Sequence, residues 1–142
     1  MHTKILKIHP RNIKPSQDFL KEGTVKFILA CYSENRKDQL PPAPVVRKSP
    51  VNGNYIAIDG HNLIAVRDFF DEECEVFVAD HPEDELTENE FPGASPDGLA
   101  SRNTDLREKF ESVVDDCKRL SEGGLDSFAH LREKYPDLFG EI

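Results

Sequence analysis

No apolar run in this chain approaches the roughly 20 residues that a membrane-spanning helix needs. The opening residues Met1-His2-Thr3-Lys4-Ile5 likewise carry no secretory apolar stretch. Cysteine is scarce: Cys31, Cys74 and Cys117 are odd in number, far apart and without a Cys-x-x-Cys pair. A disulfide scaffold is therefore excluded, and the expectation is a reduced, cytoplasmic protein whose thiols are buried. His2, His9, His81 and His130 fall at no metal-ligand spacing, so no metal site is expected. Positive charge is missing from a whole segment, since eleven acidic residues and no Lys or Arg lie between Asp71 and Asp97. With a net charge of −9 at pH 7, the chain lacks the broad basic face that a duplex DNA reader requires. It contains no internal repeat and no low-complexity tract.

What is present suits a folded domain. Leu, Ile, Val and Phe number 38 of 142 residues, enough for an ordinary core. Charge is divided along the chain, with a net of +5 over residues 1–70 and −14 over residues 71–142. The basic half can attract a phosphorylated small molecule, and the acidic half reads as a solvated face.

The periodicities give a coarse plan. Lys4 to Ile8 reads as a strand ending at His9-Pro10, and helical spacing from Leu20 through Phe27, Ile28 and Cys31 predicts a helix over about 22–34. Pro41-Pro42-Ala43-Pro44 forces extended backbone. Val45 to Lys48 and Tyr55 to Ile58 read as a hairpin turned at Asn52-Gly53, where both positions tolerate positive φ. A helix to Phe70 and a strand over Cys74–Ala79 come next. Residues 81–103, acidic and punctuated by Pro and Gly, read as a flexible loop, and the stretch 80–98 as poorly ordered and dispensable for folding. Thr104 is placed as the cap of a C-terminal helix whose stripe is Leu106, Phe110, Val113, Val114, Cys117 and Leu120, with a shorter helix near 126–134. The fold class is thus α+β: a small mixed β-sheet with flanking helices, a core over 1–80, the loop, and C-terminal helices over 104–142.

The candidate site is Asp59-Gly60-His61-Asn62, where a strand runs directly onto a helix N-terminus. Gly60 allows a tight turn, and the first free N–H groups of the helix, with its dipole, form an anion notch. His61 can contact a phosphate or move a proton, and Asp59 can orient it; alternatively Asp59 caps the helix and His61 bonds locally. Arg67, one turn beyond Leu63, can lean back toward the notch. Lys14 and Arg11 can add positive charge.

The run Pro44-Val45-Val46, the turn Val51-Asn52-Gly53-Asn54, and Tyr55-Ile56-Ala57-Ile58-Asp59-Gly60-His61 resemble the core of the ParB/sulfiredoxin-like superfamily. Ile13-Lys14-Pro15-Ser16-Gln17 with Leu20 resembles the entry segment of its small stand-alone members, so the resemblance covers about residues 4–80. It implies a ParB/sulfiredoxin-like fold with a nucleotide phosphate, from ATP, ADP or CTP with Mg2+, at Gly60, His61 and Asn62. The family turn continues to an arginine that grips phosphate, and here that position is Leu63, which removes the bidentate clamp. In the related free serine kinases an acidic residue near the entry segment is the general base; Asp18 can take that role, or can cap the helix after it. Two functions are implied: a binding module for a small-molecule or protein partner with a degenerate phosphate notch, or a nucleotide-dependent phosphotransferase acting on a small hydroxyl compound.

Overall fold

In the computed structural model, which describes residues 4–140, five strands form one mixed sheet. They are β1 (Ile5–Ile8), β2 (Ile13–Lys14), β3 (Val45–Lys48), β4 (Tyr55–Asp59) and β5 (Cys74–Ala79). Their spatial order is β1-β5-β3-β4-β2, with β1/β5 and β3/β4 antiparallel, β5/β3 and β4/β2 parallel. The helices are α1 (Glu22–Ser33), α2 (His61–Phe69), α3 (Pro96–Lys109), α4 (Ser112–Glu122), α5 (Phe128–Arg132) and α6 (Pro136–Phe139). The α+β expectation is met, and among the described residues no helix is long and apolar enough to cross a membrane.

Both faces of the sheet are covered, which is why the inner strands are apolar almost without alternation. Val46, Ala57, Val76 and Val78 face one way and pack with Val25 and Ile28 of α1, Ile64 and Ala65 of α2, and Phe128, Leu131 and Phe139 from α5 and α6. Val45, Ile56, Ile58, Phe77 and Ala79 face the other way, against Leu86, Phe91, Leu106, Phe110, Val113 and Cys117. The C-terminal helices therefore divide between the two faces instead of covering one.

Two segments differ from the sequence expectation. The stretch read as a loop over 81–103 is docked through two apolar side chains, Leu86 at 2% and Phe91 at 6% exposed, and α3 starts at Pro96. Pro96 and Gly98 look like breakers in a sequence, but Pro suits the first helical turn, where its missing N–H would be unbonded anyway. Ser95 caps that turn, its Oγ accepting from the Gly98 N–H at 3.0 Å. Thr104 is consequently an exposed mid-helix residue and not a cap. The β3–β4 connection is a six-residue loop over 49–54, not a two-residue turn. Only Gly53 has positive φ there (71°), and Ser49 N–H donates to the Asn54 carbonyl at 2.7 Å to close the loop.

The sheet carries one irregularity of consequence. Val45 pairs with Asp59 and Val46 with Ala57, so Ile58 is an extra residue on β4. Such a bulge bends the strand and re-aims the chain beyond it, here the turn into α2.

Candidate functional site

The strand-to-helix turn at Gly60 is built against Pro44. Gly60 has φ 93° and ψ 25°, the left-handed conformation, and a Cβ on it would lie 2.6 Å from Pro44 Cβ and 2.9 Å from Pro44 Cα. The glycine thus admits the close approach of the segment leading into β3; it is protein, not ligand, that crowds it. Among the described residues no side chain caps α2, so the positive end of its dipole is left to its surroundings.

Those surroundings form a cleft of about 310 Å³ between the starts of α1 and α2, walled by Pro41 and Pro42 and open to solvent. Lys21 and Thr24 line it from α1, Asp59, Gly60, Asn62 and Leu63 from the turn and α2, and Arg102 from α3. The two helix starts are tied together, because Asn62 Oδ1 accepts from the Lys21 backbone N–H at 2.8 Å. Asn62 therefore lines the cleft, although its amide oxygen serves α1.

His61 does not reach this cleft. Its ring is 3% exposed and directed inward, with Nε2 accepting from the Ser16 N–H at 3.0 Å and the ring 5.6 Å from that of Phe128. Ser16 is held in turn by its hydroxyl, which donates to the Ala57 carbonyl at 2.6 Å. Burial lowers the imidazole pKa from 6.5 to about 3, so the ring is neutral at pH 7 and an acceptor at Nε2. The expectation that His61 contacts a phosphate or shuttles a proton is corrected accordingly. Helical spacing cannot show which way the first residue of a helix points when its entry strand bulges.

Asp59 lies at the cleft, and its carboxylate accepts from Arg102 Nε at 3.1 Å. It neither caps α2 nor touches His61 through a hydrogen bond among the described residues. Arg102 also donates through Nη2 to the Ala43 carbonyl, and its guanidinium stacks over Phe91, 5.0 Å from the ring centroid. Sequence reasoning does not find this arginine, although one signal is there: it is the first Lys or Arg after Arg67. Lys21 is not found either, and no spacing or motif singles it out.

The remaining candidates are elsewhere. Asp18 is exposed, does not line the cleft and does not cap α1, whose N-cap is Lys21; the Asp18 backbone carbonyl accepts from Lys134 Nζ. Its role as a base is therefore not supported by position. Arg67 leans across to α1, not back to the notch, because its Nη1 donates to Tyr32 Oη at 2.6 Å and lies 3.7 Å from Glu72. Lys14 donates to the Asp126 carbonyl at 2.9 Å, tying β2 to the segment before α5. Arg11 is exposed on another surface.

A larger cavity, about 440 Å³, lies on the far side of Leu63 and holds Arg67, Lys7, Lys37 and the carboxylates of Glu73 and Glu75. Its cations are offset by carboxylates, and Lys37 and Arg67 are each 3.7 Å from Glu72 beside it. It therefore presents little net field to an incoming ion, and the smaller cleft with its helix starts is the better anion site. Leu63, the wall between the two, is 4% exposed and part of the apolar core. Among the described residues no group of three or more His, Cys, Asp or Glu is placed to hold a metal. Comparison of the chain with protein-family models, with curated proteins and with solved structures finds no match.

Proposed function

We propose that this chain is a binding module of the ParB/sulfiredoxin-like kind that takes the phosphorylated end of a small molecule in the cleft at Gly60. One observation carries the reading: the α2 start, with no side-chain cap among the described residues, meets the α1 start, Lys21 and Arg102 around an open cleft. Helix N-termini and cations both favour negative charge, and a phosphate presents several acceptors to them.

Binding is favoured over turnover by what the cleft lacks. Phosphotransfer to a hydroxyl compound needs a base within reach of that hydroxyl. His61 is turned inward with its Nε2 occupied by the Ser16 N–H, Asp18 is remote from the cleft lining, and the Asp59 carboxylate is engaged by Arg102. Leu63 supplies no donor.

ATP, ADP and CTP with Mg2+ are the nucleotides to test first, alongside inorganic pyrophosphate, by titration calorimetry on the full chain. The expected result is weak binding, about millimolar, since helix ends and two partly screened cations contribute only a few kcal/mol. Absence of any anion binding at millimolar concentration would reject the site. Nucleotide-dependent phosphorylation of a hydroxyl compound by the purified chain would instead establish the enzyme reading.

A further inference from the structure

We infer that Arg102 is the specificity-determining residue of this cleft: by pairing with Asp59 it sets the charge there, so that the cleft accepts a multiply charged phosphate. This inference rests on the cleft being an anion site. The cleft is lined by two cations, Lys21 and Arg102, and one carboxylate, Asp59. Arg102 is only 15% exposed and Asp59 38%, so the pair is formed at the inner wall and not in bulk water.

The guanidinium is positioned from three sides. Nε donates to Asp59, Nη2 donates to the Ala43 carbonyl, and Phe91 supports its plane. Nη1 donates to no protein acceptor among the described residues. An arginine held by one edge keeps its other donors in fixed directions, which suits a tetrahedral anion with several oxygens. Without Arg102, the Asp59 carboxylate would be left beside the α2 start, would itself take the favourable position at the dipole's positive end, and would cancel Lys21. An anion would then meet a neutral cleft.

The two partners of this ion pair therefore have opposite effects on ligand affinity, although either substitution removes the same ion pair. That opposition separates a role in setting charge from a role in holding the fold. The test is titration of the full chain with inorganic pyrophosphate, at low salt and at physiological salt, for the native protein, Arg102→Gln, Arg102→Lys and Asp59→Asn. Arg102→Gln should weaken binding about tenfold or more, the usual size of a lost charge-assisted contact. Arg102→Lys should restore part of that loss, and Asp59→Asn should tighten binding severalfold. Arg102→Gln and Asp59→Asn should both lower the melting temperature. Affinity changes in the same direction for Arg102→Gln and Asp59→Asn, or none in either, would overturn the inference while native binding leaves the cleft reading intact. Failure of both the native chain and Asp59→Asn to bind would remove the anion reading itself, and the inference with it.

Discussion

Gly60 and His61 are adjacent in the chain but answer to different forces. Gly60 combines a left-handed backbone with contact to Pro44. Gly60→Ala should lower stability by about 2–5 kcal/mol, through a strained φ of about 1–2 kcal/mol and overpacking of about 1–3 kcal/mol. Chemical denaturation measures this, and a loss under about 0.5 kcal/mol, the range of ordinary surface changes, would mean the turn relaxes freely. His61 gives a pH prediction. Its folded pKa lies below the unfolded 6.5, so on acidification the unfolded chain takes up a proton that the folded chain refuses until near pH 3. This contribution is constant above pH 6.5 and falls by about 1.4 kcal/mol per pH unit below it. Urea denaturation from pH 7 to 4 should show that slope diminished by about one proton in His61→Gln. Equal slopes in the two proteins would show that His61 is not held neutral. At this scale the sequence located the turn and the need for glycine, but the direction of the His61 ring depends on Ser16 and Phe128, which are 45 and 67 positions away.

At the scale of elements, the segment from Asp80 to Ser95 is the most informative. Its many like charges suggest a solvated loop, yet it is anchored at both ends and in the middle. Asp84 accepts from the Asp80 and His81 backbone N–H groups at 2.7 and 3.2 Å and pairs with Lys4 at 3.1 Å. Asn103 of α3 brackets Leu86, accepting from its N–H at 2.7 Å and donating to its carbonyl at 3.2 Å. Phe91 packs 6.0 Å from the Phe77 ring and supports Arg102 from below. The amides of Leu86 and Phe91 should consequently exchange far more slowly than in a free peptide, and free-peptide exchange rates there would show the segment undocked. Phe91→Ala should cost about 3–5 kcal/mol as a cavity-forming core substitution. The anchors are two isolated apolar side chains and a few polar ones, and Lys4, Phe77 and Asn103, which hold them, lie outside the segment, so local composition reports the charge and not the docking.

For the molecule as a whole, the division into a basic first half and an acidic second half does not correspond to two bodies. β5, from the acidic half, lies between β1 and β3 from the basic half, and α5 and α6 share a core with α1 and α2. A fragment of residues 1–80 would expose Val45, Ile56, Ile58, Phe77 and Ala79 along one sheet face. Such a continuous apolar patch favours aggregation over independent folding. The fragment should therefore show no single cooperative unfolding transition and should self-associate on size exclusion; a monomeric, cooperatively folded fragment would show the C-terminal helices to be an accessory. What the sequence determined by itself was local: the α+β class, the positions of β1, β3, β4, β5, α1 and α2 to within a residue or so, and the strand–glycine–helix turn. These arise from periodicity and backbone sterics, which act over a few residues. Only the tertiary structure decided that His61 is internal, that Arg67 joins Tyr32, and that Arg102 enters the cleft from α3. Those outcomes depend on which elements pack across the two sheet faces and on a one-residue bulge at Ile58, where burial and charge pairing act between residues far apart in the chain.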